Sequence, residues 1–233
     1  MESTPRGLKI VTWITIIVFG VSLYLVFIYA PREAVMGDVQ RVFYYHVAAG
    51  WVGALAFLVA AIAGVLYLIR KERRWDQVAL SSIEVGIVFT FINIVSGSIW
   101  ARPIWNTWWT WDPRLVTATI MELIYLAYML LRQGIEDPDR RARFGAVYAI
   151  LGFISVPITF ASIRIFRTIH PVVIGSGDPG AEGTFDMDAQ MRVAFFFSLI
   201  TFTFIYATLF WYRLRLQRLA DKVEELKLKV LSG

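Results

Sequence analysis

The stretch Val47-Ala-Ala-Gly-Trp-Val-Gly-Ala-Leu-Ala-Phe-Leu-Val-Ala-Ala-Ile-Ala-Gly-Val-Leu-Tyr-Leu-Ile69 carries no charge and ends abruptly at Arg70-Lys71. A helix rising ~1.5 Å per residue needs roughly 20 apolar residues to cross ~30 Å of hydrocarbon, and this run supplies them. Comparable runs occupy residues 10–30, 78–99, 144–163 and 193–212, and a shorter one at 115–131 approaches span length with its flanks. The reading is an all-α integral membrane protein, one domain of 233 residues with six transmembrane helices. A closed β-barrel would show shorter segments alternating apolar and polar residues. Composition agrees, because 58% apolar and 18% charged residues lie outside the range of an ordinary soluble domain. The first run exceeds the core of a cleavable signal peptide and is expected to remain as the first helix.

Basic residues beside the spans set orientation, since they are retained in the cytoplasm. Counting Arg6 and Lys9, the four at 70–74, Arg132 with the three at 140–143, and the six from Arg213 to Lys229 gives 16 of the 23 Lys and Arg on one side. The other side holds Arg32, Arg41, Arg102, Arg114, Arg164, Arg167 and Arg192. Both termini are therefore expected to be cytoplasmic. The net charge of +5 follows from this bias and requires no nucleic-acid partner. All seven basic residues on the outer side are arginine, whose planar fork grips carboxylates.

The middle outer loop, 101–115, reads Ala-Arg-Pro-Ile-Trp-Asn-Thr-Trp-Trp-Thr-Trp-Asp-Pro-Arg-Leu. With Trp100 it gathers five of the nine tryptophans. An interfacial aromatic belt would scatter them over many span ends. A dense cluster instead suits a large, flat, apolar ligand, and a porphyrin is such a ligand. Its propionates call for cations, and Arg102 and Arg114 bracket the cluster. Its iron calls for axial ligands, commonly neutral imidazole. The chain has two histidines, His46 at the start of the second span and His170 in the third outer loop. Both fall on the tryptophan side and flank the cluster in sequence, which favours a shared iron. With no cysteine, disulfides and thiolate ligands are excluded.

Trp105-Asn-Thr-Trp-Trp-Thr-Trp-Asp112 resembles the WWD signature of the haem-handling proteins of cytochrome c maturation. Six spans, the short length and one histidine on each side of the signature resemble the CcmC, or haem exporter protein C, family in particular. CcmF and CcsA relatives carry the signature with different lengths or added spans. The resemblance covers residues 8–212 and implies a haem-contacting strip of Trp105, Trp108, Trp109, Trp111 and Asp112, with His46 and His170 as the axial pair. It implies transient, non-covalent haem b, presented at the outer face of the bacterial cytoplasmic (inner) membrane to the chaperone CcmE, beside the CcmA and CcmB transporter subunits and CcmD. Asn106 stands where the family usually has glycine, and Pro113 where alanine is usual. The implied role is delivery and not a conventional enzyme activity.

Two other function classes remain open on the residues alone. A transporter through the bundle would want inverted repeats or broken helices near the midplane, and no such symmetry is visible. A cytochrome b-like redox protein would want two haems and four ligands, against two histidines.

Several features compete for attention. Gly175-Ser-Gly-Asp-Pro-Gly180 formally matches a dinucleotide fingerprint but joins two spans and contains a proline, so it is set aside. No GxxxxGK[ST] loop occurs, which leaves ATP-driven steps to a partner. Glu84 and Glu122 fall within spans and read most simply as neutral acids hydrogen-bonded between helices. Pro157 should kink the fifth span. The tail, 213–233, repeats Leu216, Leu219, Val223, Leu226 and Val230 at 3,4 spacing, and its basic excess suits an amphipathic helix on the lipid surface in preference to a coiled coil.

Overall fold

The computed structural model describes residues 4–34, 36–170 and 187–232 of the chain. Seven helices are seen among them: α1 (Arg6–Tyr24), α2 (Gln40–Arg70), α3 (Arg73–Trp105), α4 (Pro113–Gln133), α5 (Pro138–Phe153), α6 (Ser155–Ile165) and α7 (Ala189–Ser232). A single π-helical turn, Leu25–Tyr29, prolongs α1, and α5 and α6 together make one broken span. Six helices are thus long and apolar enough to cross a bilayer, as the apolar runs indicate. The segment Gly175–Gly180 lies outside the described residues. We call the end of the bundle with Trp105–Trp111 the tryptophan end, and the end with Arg70 and Arg213 the basic end.

The centre is the α2–α3 hairpin. It reverses at Lys71, which adopts left-handed backbone (φ 55°) and donates its N–H to the Tyr67 carbonyl. Small residues let the two helices approach closely, because without a hydrophobic drive between spans association depends on packing. Ala48, Ala49, Ala56 and Ala60 of α2 are fully buried. A Cβ on Gly86 of α3 would lie 2.6 Å from the Phe57 ring of α2. On the opposite faces Leu58, Ile62, Val88 and Phe91 remain exposed in the isolated chain, as lipid-facing residues of a span would.

The break between α5 and α6 falls at Ile154, one turn before Pro157, where the missing N–H and the ring disrupt the ladder. At the break Ser155 Oγ donates to the Gly152 carbonyl at 2.6 Å. The helices also extend beyond the apolar runs. α3 continues through Pro103 to Trp105, so the connection to α4 at the tryptophan end is residues 106–112 and not 101–115. α7 continues without a break past Tyr212, so the tail is a prolongation of the last span and not a separate element.

Glu84 departs from the expectation of a neutral acid, because Arg213 Nη2 donates to its Oε1 at 2.6 Å. Glu122 is buried and accepts the Thr90 hydroxyl across the α3–α4 contact. Also at the basic end, Arg132 of α4 grips Asp76 of α3 through both nitrogens, at 2.5 and 2.9 Å, with Arg132 7% exposed. Removing one member of such a buried pair leaves the other uncompensated. Arg132→Ala is therefore expected to destabilise the bundle by about 3–5 kcal/mol, read as a lowered unfolding temperature in detergent. Gly145→Ala, whose Cβ would stand 2.6 Å from Arg132 Nη1, should lower it in the same direction.

Candidate functional site

A cleft opens at the tryptophan end between α2, α3 and α4. It is an open cleft, with about 500 Å³ of space counted out into the solvent at its mouth. Its lining includes His46, Trp100, Trp105, Trp109, Arg114 and His170, with Gly97, Ala101 and Ala118 leaving room between them. Both histidines of the chain therefore reach the same space, although they stand far apart in sequence.

His46 sits in the second turn of α2 and is fixed from α3. Its Nδ1 lies 2.9 Å from the Asn93 carbonyl oxygen, and the Asn93 side-chain amide donates back to the His46 carbonyl at 2.8 Å. A carbonyl can only accept, so the proton is assigned to Nδ1 and the lone pair to Nε2. That is the form in which an imidazole ligates iron, with its second nitrogen held by a backbone oxygen. The ring fits because position 97 is glycine. A Cβ there would lie 2.8 Å from His46 Cε1 and 3.3 Å from Nδ1. Gly97→Ala is accordingly expected to tilt the imidazole and to weaken about tenfold the binding of any metal that His46 ligates, measured by haem titration, with helix content unchanged.

His170 follows α6 on a segment held by Asp112. Asp112 is the N-cap of α4, accepting the Arg114 N–H at 2.9 Å ahead of Pro113 at the first helical position. The same carboxylate accepts the Thr168 hydroxyl, 2.7 Å from each oxygen, and the Ile169 N–H at 3.0 Å. Thr168 Oγ1 in turn accepts the His170 N–H at 3.0 Å. One buried carboxylate thus joins the start of α4 to the residues that carry His170. The Trp105 ring approaches the His170 ring at 6.4 Å, and Trp100 meets Trp105 edge-on at 5.2 Å.

The structure divides the sequence-predicted strip. Trp105 and Trp109 line the cleft, but Trp108 and Trp111 point outward and are 58% and 84% exposed. Trp111 is held edge-on to Trp109 at 6.0 Å. Asp112 lies outside the lining and acts as a brace. Arg102, expected beside a propionate, is engaged at the end of α3, where it donates to the Asn106 carbonyl at 2.7 Å and to the Asn106 side chain. Arg114 does line the cleft, with one nitrogen on the Thr159 carbonyl and its guanidinium 4.8 Å above the Phe160 ring. Its fork has five N–H donors, so this contact leaves others available. Sequence reading missed Asn93, Gly97 and Thr168. Their roles depend on which residue of a neighbouring element each one faces, and their residue types alone carry no such signal.

The arrangement offers two imidazoles, aromatic side chains, several small residues and one arginine. A metal that brings four in-plane donors needs two more ligands, and a porphyrin iron is such a metal. The family model described as CcmC, Heme exporter protein C, matches residues 1–229. Heme exporter protein C of Bradyrhizobium diazoefficiens is 29% identical over 98% of this chain and 85% of its own length. The protein of that name from Rhodobacter capsulatus is 31% identical over 73% and 71%, and that of Escherichia coli K12 is 27% identical over 91% and 86%. The match runs nearly end to end and takes in both histidine segments and the tryptophan segment between them, so the chain belongs to the CcmC, heme exporter protein C, family.

Proposed function

We propose that the protein binds haem b non-covalently in the cleft at the tryptophan end and presents it, at the extracytoplasmic face of the bacterial cytoplasmic membrane, to the chaperone CcmE during cytochrome c maturation. The observation that carries this reading is the convergence of the two histidines on one aromatic-walled cleft. His46 and His170 are the axial ligands, Trp105 and Trp109 support the ring, and Arg114 takes a propionate. CcmA, CcmB and CcmD are the proposed partners in the membrane. The basic-residue bias supports the orientation, with both termini in the cytoplasm.

The two ligands differ in how they are held. His46 belongs to a long helix and is fixed from α3, whereas His170 lies beyond the end of α6, with its backbone N–H on Thr168, whose hydroxyl donates to Asp112. His170 is therefore the ligand that leaves at hand-over, opening one side of the iron to an incoming ligand. A bis-imidazole iron is coordinatively saturated, which slows oxygen chemistry until that moment.

The test is a haem titration of the purified protein in mild detergent, with visible spectra recorded oxidised and reduced. A six-coordinate low-spin spectrum is expected, and no binding of added haem would sink the reading. Replacing Trp105 and Trp109 together by alanine should weaken retention about tenfold or more, since each ring removes stacking area. The pair Trp108→Ala and Trp111→Ala should leave retention nearly unchanged.

A further inference from the structure

We propose that the polar cavity at the basic end, between α3, α4 and α7, holds the phosphate headgroup of an anionic phospholipid whose acyl chains lie along the exposed face of α3. The cavity is open, with about 690 Å³ of space counted out into the solvent at its mouth. On α3 its lining runs from Arg73 to Glu84, about 16 Å at ~1.5 Å per residue. α4 and α7 both pack on α3 and supply the walls, and Arg141, near the start of α5, also lines the space.

Charge decides what fits there. Every carboxylate on the lining already has its own arginine. Asp76 takes both terminal nitrogens of Arg132, the two oxygens of Glu84 lie 2.6 and 2.5 Å from Arg213 nitrogens, and Asp221 pairs with Arg73 and accepts from Gln77 and Gln217. Arg141 is the arginine in excess. Its side chain is partly buried and, among the described residues, has no hydrogen bond, ion pair or ring contact. Gln133 brings an amide to the same lining. A guanidinium is all donor and no acceptor, and its fork matches the oxygens of a phosphate. The surroundings favour a phosphate carried on a lipid. The α3 face that holds Leu80 and Glu84 continues at helical spacing into Val88, Phe91, Ile92 and Val95, which are 41–59% exposed. Beside the cavity on α4, Leu126 and Leu130 are exposed as well. Charged lining therefore passes directly into bare apolar surface, and it does so where the apolar runs give way to Arg70 and Arg132. Basic pockets between spans at such a level suit anionic headgroups.

The test titrates the purified full chain in mild detergent with phosphatidylglycerol and with phosphatidylcholine of the same acyl chains, counting bound lipid by native mass spectrometry. Phosphatidylglycerol should bind at least about tenfold tighter. Arg141→Gln should bring the two lipids within about threefold of each other, while Arg141→Lys keeps most of the preference. Arg140→Gln, which removes the neighbouring exposed charge outside the cavity, should leave the preference intact. The unfolding temperature should not change in Arg141→Gln, since that side chain supports no contact within the fold. Millimolar inorganic phosphate should not displace the lipid. Because the chain has no cysteine, a spin label on Val88→Cys reports the α3 face alone, and it should couple to chain-labelled phosphatidylglycerol in the wild-type background but not with Arg141→Gln. Equal affinity for the two lipids, or an equal loss in Arg140→Gln, overturns the proposal. So does displacement by inorganic phosphate, which makes the ligand a free anion, or coupling between labels on two protein copies, which means that a second copy covers the face.

Discussion

Replacing His46 by alanine is expected to abolish the six-coordinate low-spin haem spectrum and to weaken haem binding by about a hundredfold or more, a larger effect than outer-shell changes at metal sites produce. The side chain is built into the second turn of α2, and its Nδ1 is committed to the Asn93 carbonyl, so the neighbouring helix has nothing to offer in its place. His170→Ala should also remove the six-coordinate species but leave a five-coordinate fraction, because the more firmly held ligand remains. Added imidazole should restore much of the spectrum in His170→Ala and little in His46→Ala, whose vacancy is walled by Gly97 and Asn93. Visible and magnetic circular dichroism spectra distinguish the two patterns. Retention of the wild-type spectrum in both variants would remove the axial assignment.

Asp112→Ala should have the second-largest effect, although its side chain lies outside the cleft lining. The carboxylate accepts from Arg114, Thr168 and Ile169, and hydrogen bonds to a charged group are worth about 1.5–3 kcal/mol each when buried. Losing them removes the N-cap of α4 and releases the residues that carry His170. Haem affinity is expected to fall roughly 10–100-fold, with a mixed five- and six-coordinate spectrum and unchanged membrane insertion. Asp112→Asn keeps one oxygen to accept from the Arg114 N–H and the Thr168 hydroxyl but turns an NH2 toward the Ile169 N–H, so it should fall between wild type and alanine. If Asp112 touched haem directly, the six-coordinate spectrum would persist at saturating haem in the alanine variant, and a spectroscopic titration reads that difference.

Much of this protein is legible in its sequence because a bilayer imposes a simple rule on the chain. The run from Val47 to Ile69 can do little except span, and the remaining runs follow the same logic. The histidine pair was also legible, since two lone imidazoles flanking a tryptophan cluster are a strong chemical pattern. The division of labour within the cluster was not. Trp108 and Trp109 are adjacent and chemically identical, yet the backbone after α3 turns one inward and the other out. That backbone is set by Asn106, in left-handed conformation at φ 53° with Arg102 capping its carbonyl. Asparagine and glycine are the residues that tolerate such a conformation best, so Asn106 suits the turn. Asp112 was read as a ligand contact because it belongs to the signature, while its binding to Thr168 and Ile169 required the fold. The ion pair of Glu84 with Arg213 escaped for the same reason, since the two residues belong to different spans.

The last helix spans 44 residues, about 66 Å at ~1.5 Å per residue, roughly twice the thickness of the hydrocarbon it crosses. Near its start, Met187 and Met191 pack in the cluster that contains Trp100 and Phe43, directly behind the cleft. Toward its other end, Asp221 is tied to α3. One helix with no glycine or proline along its length thus carries both contacts, so the packing behind the cleft and the tie to α3 at the basic end belong to a single continuous element.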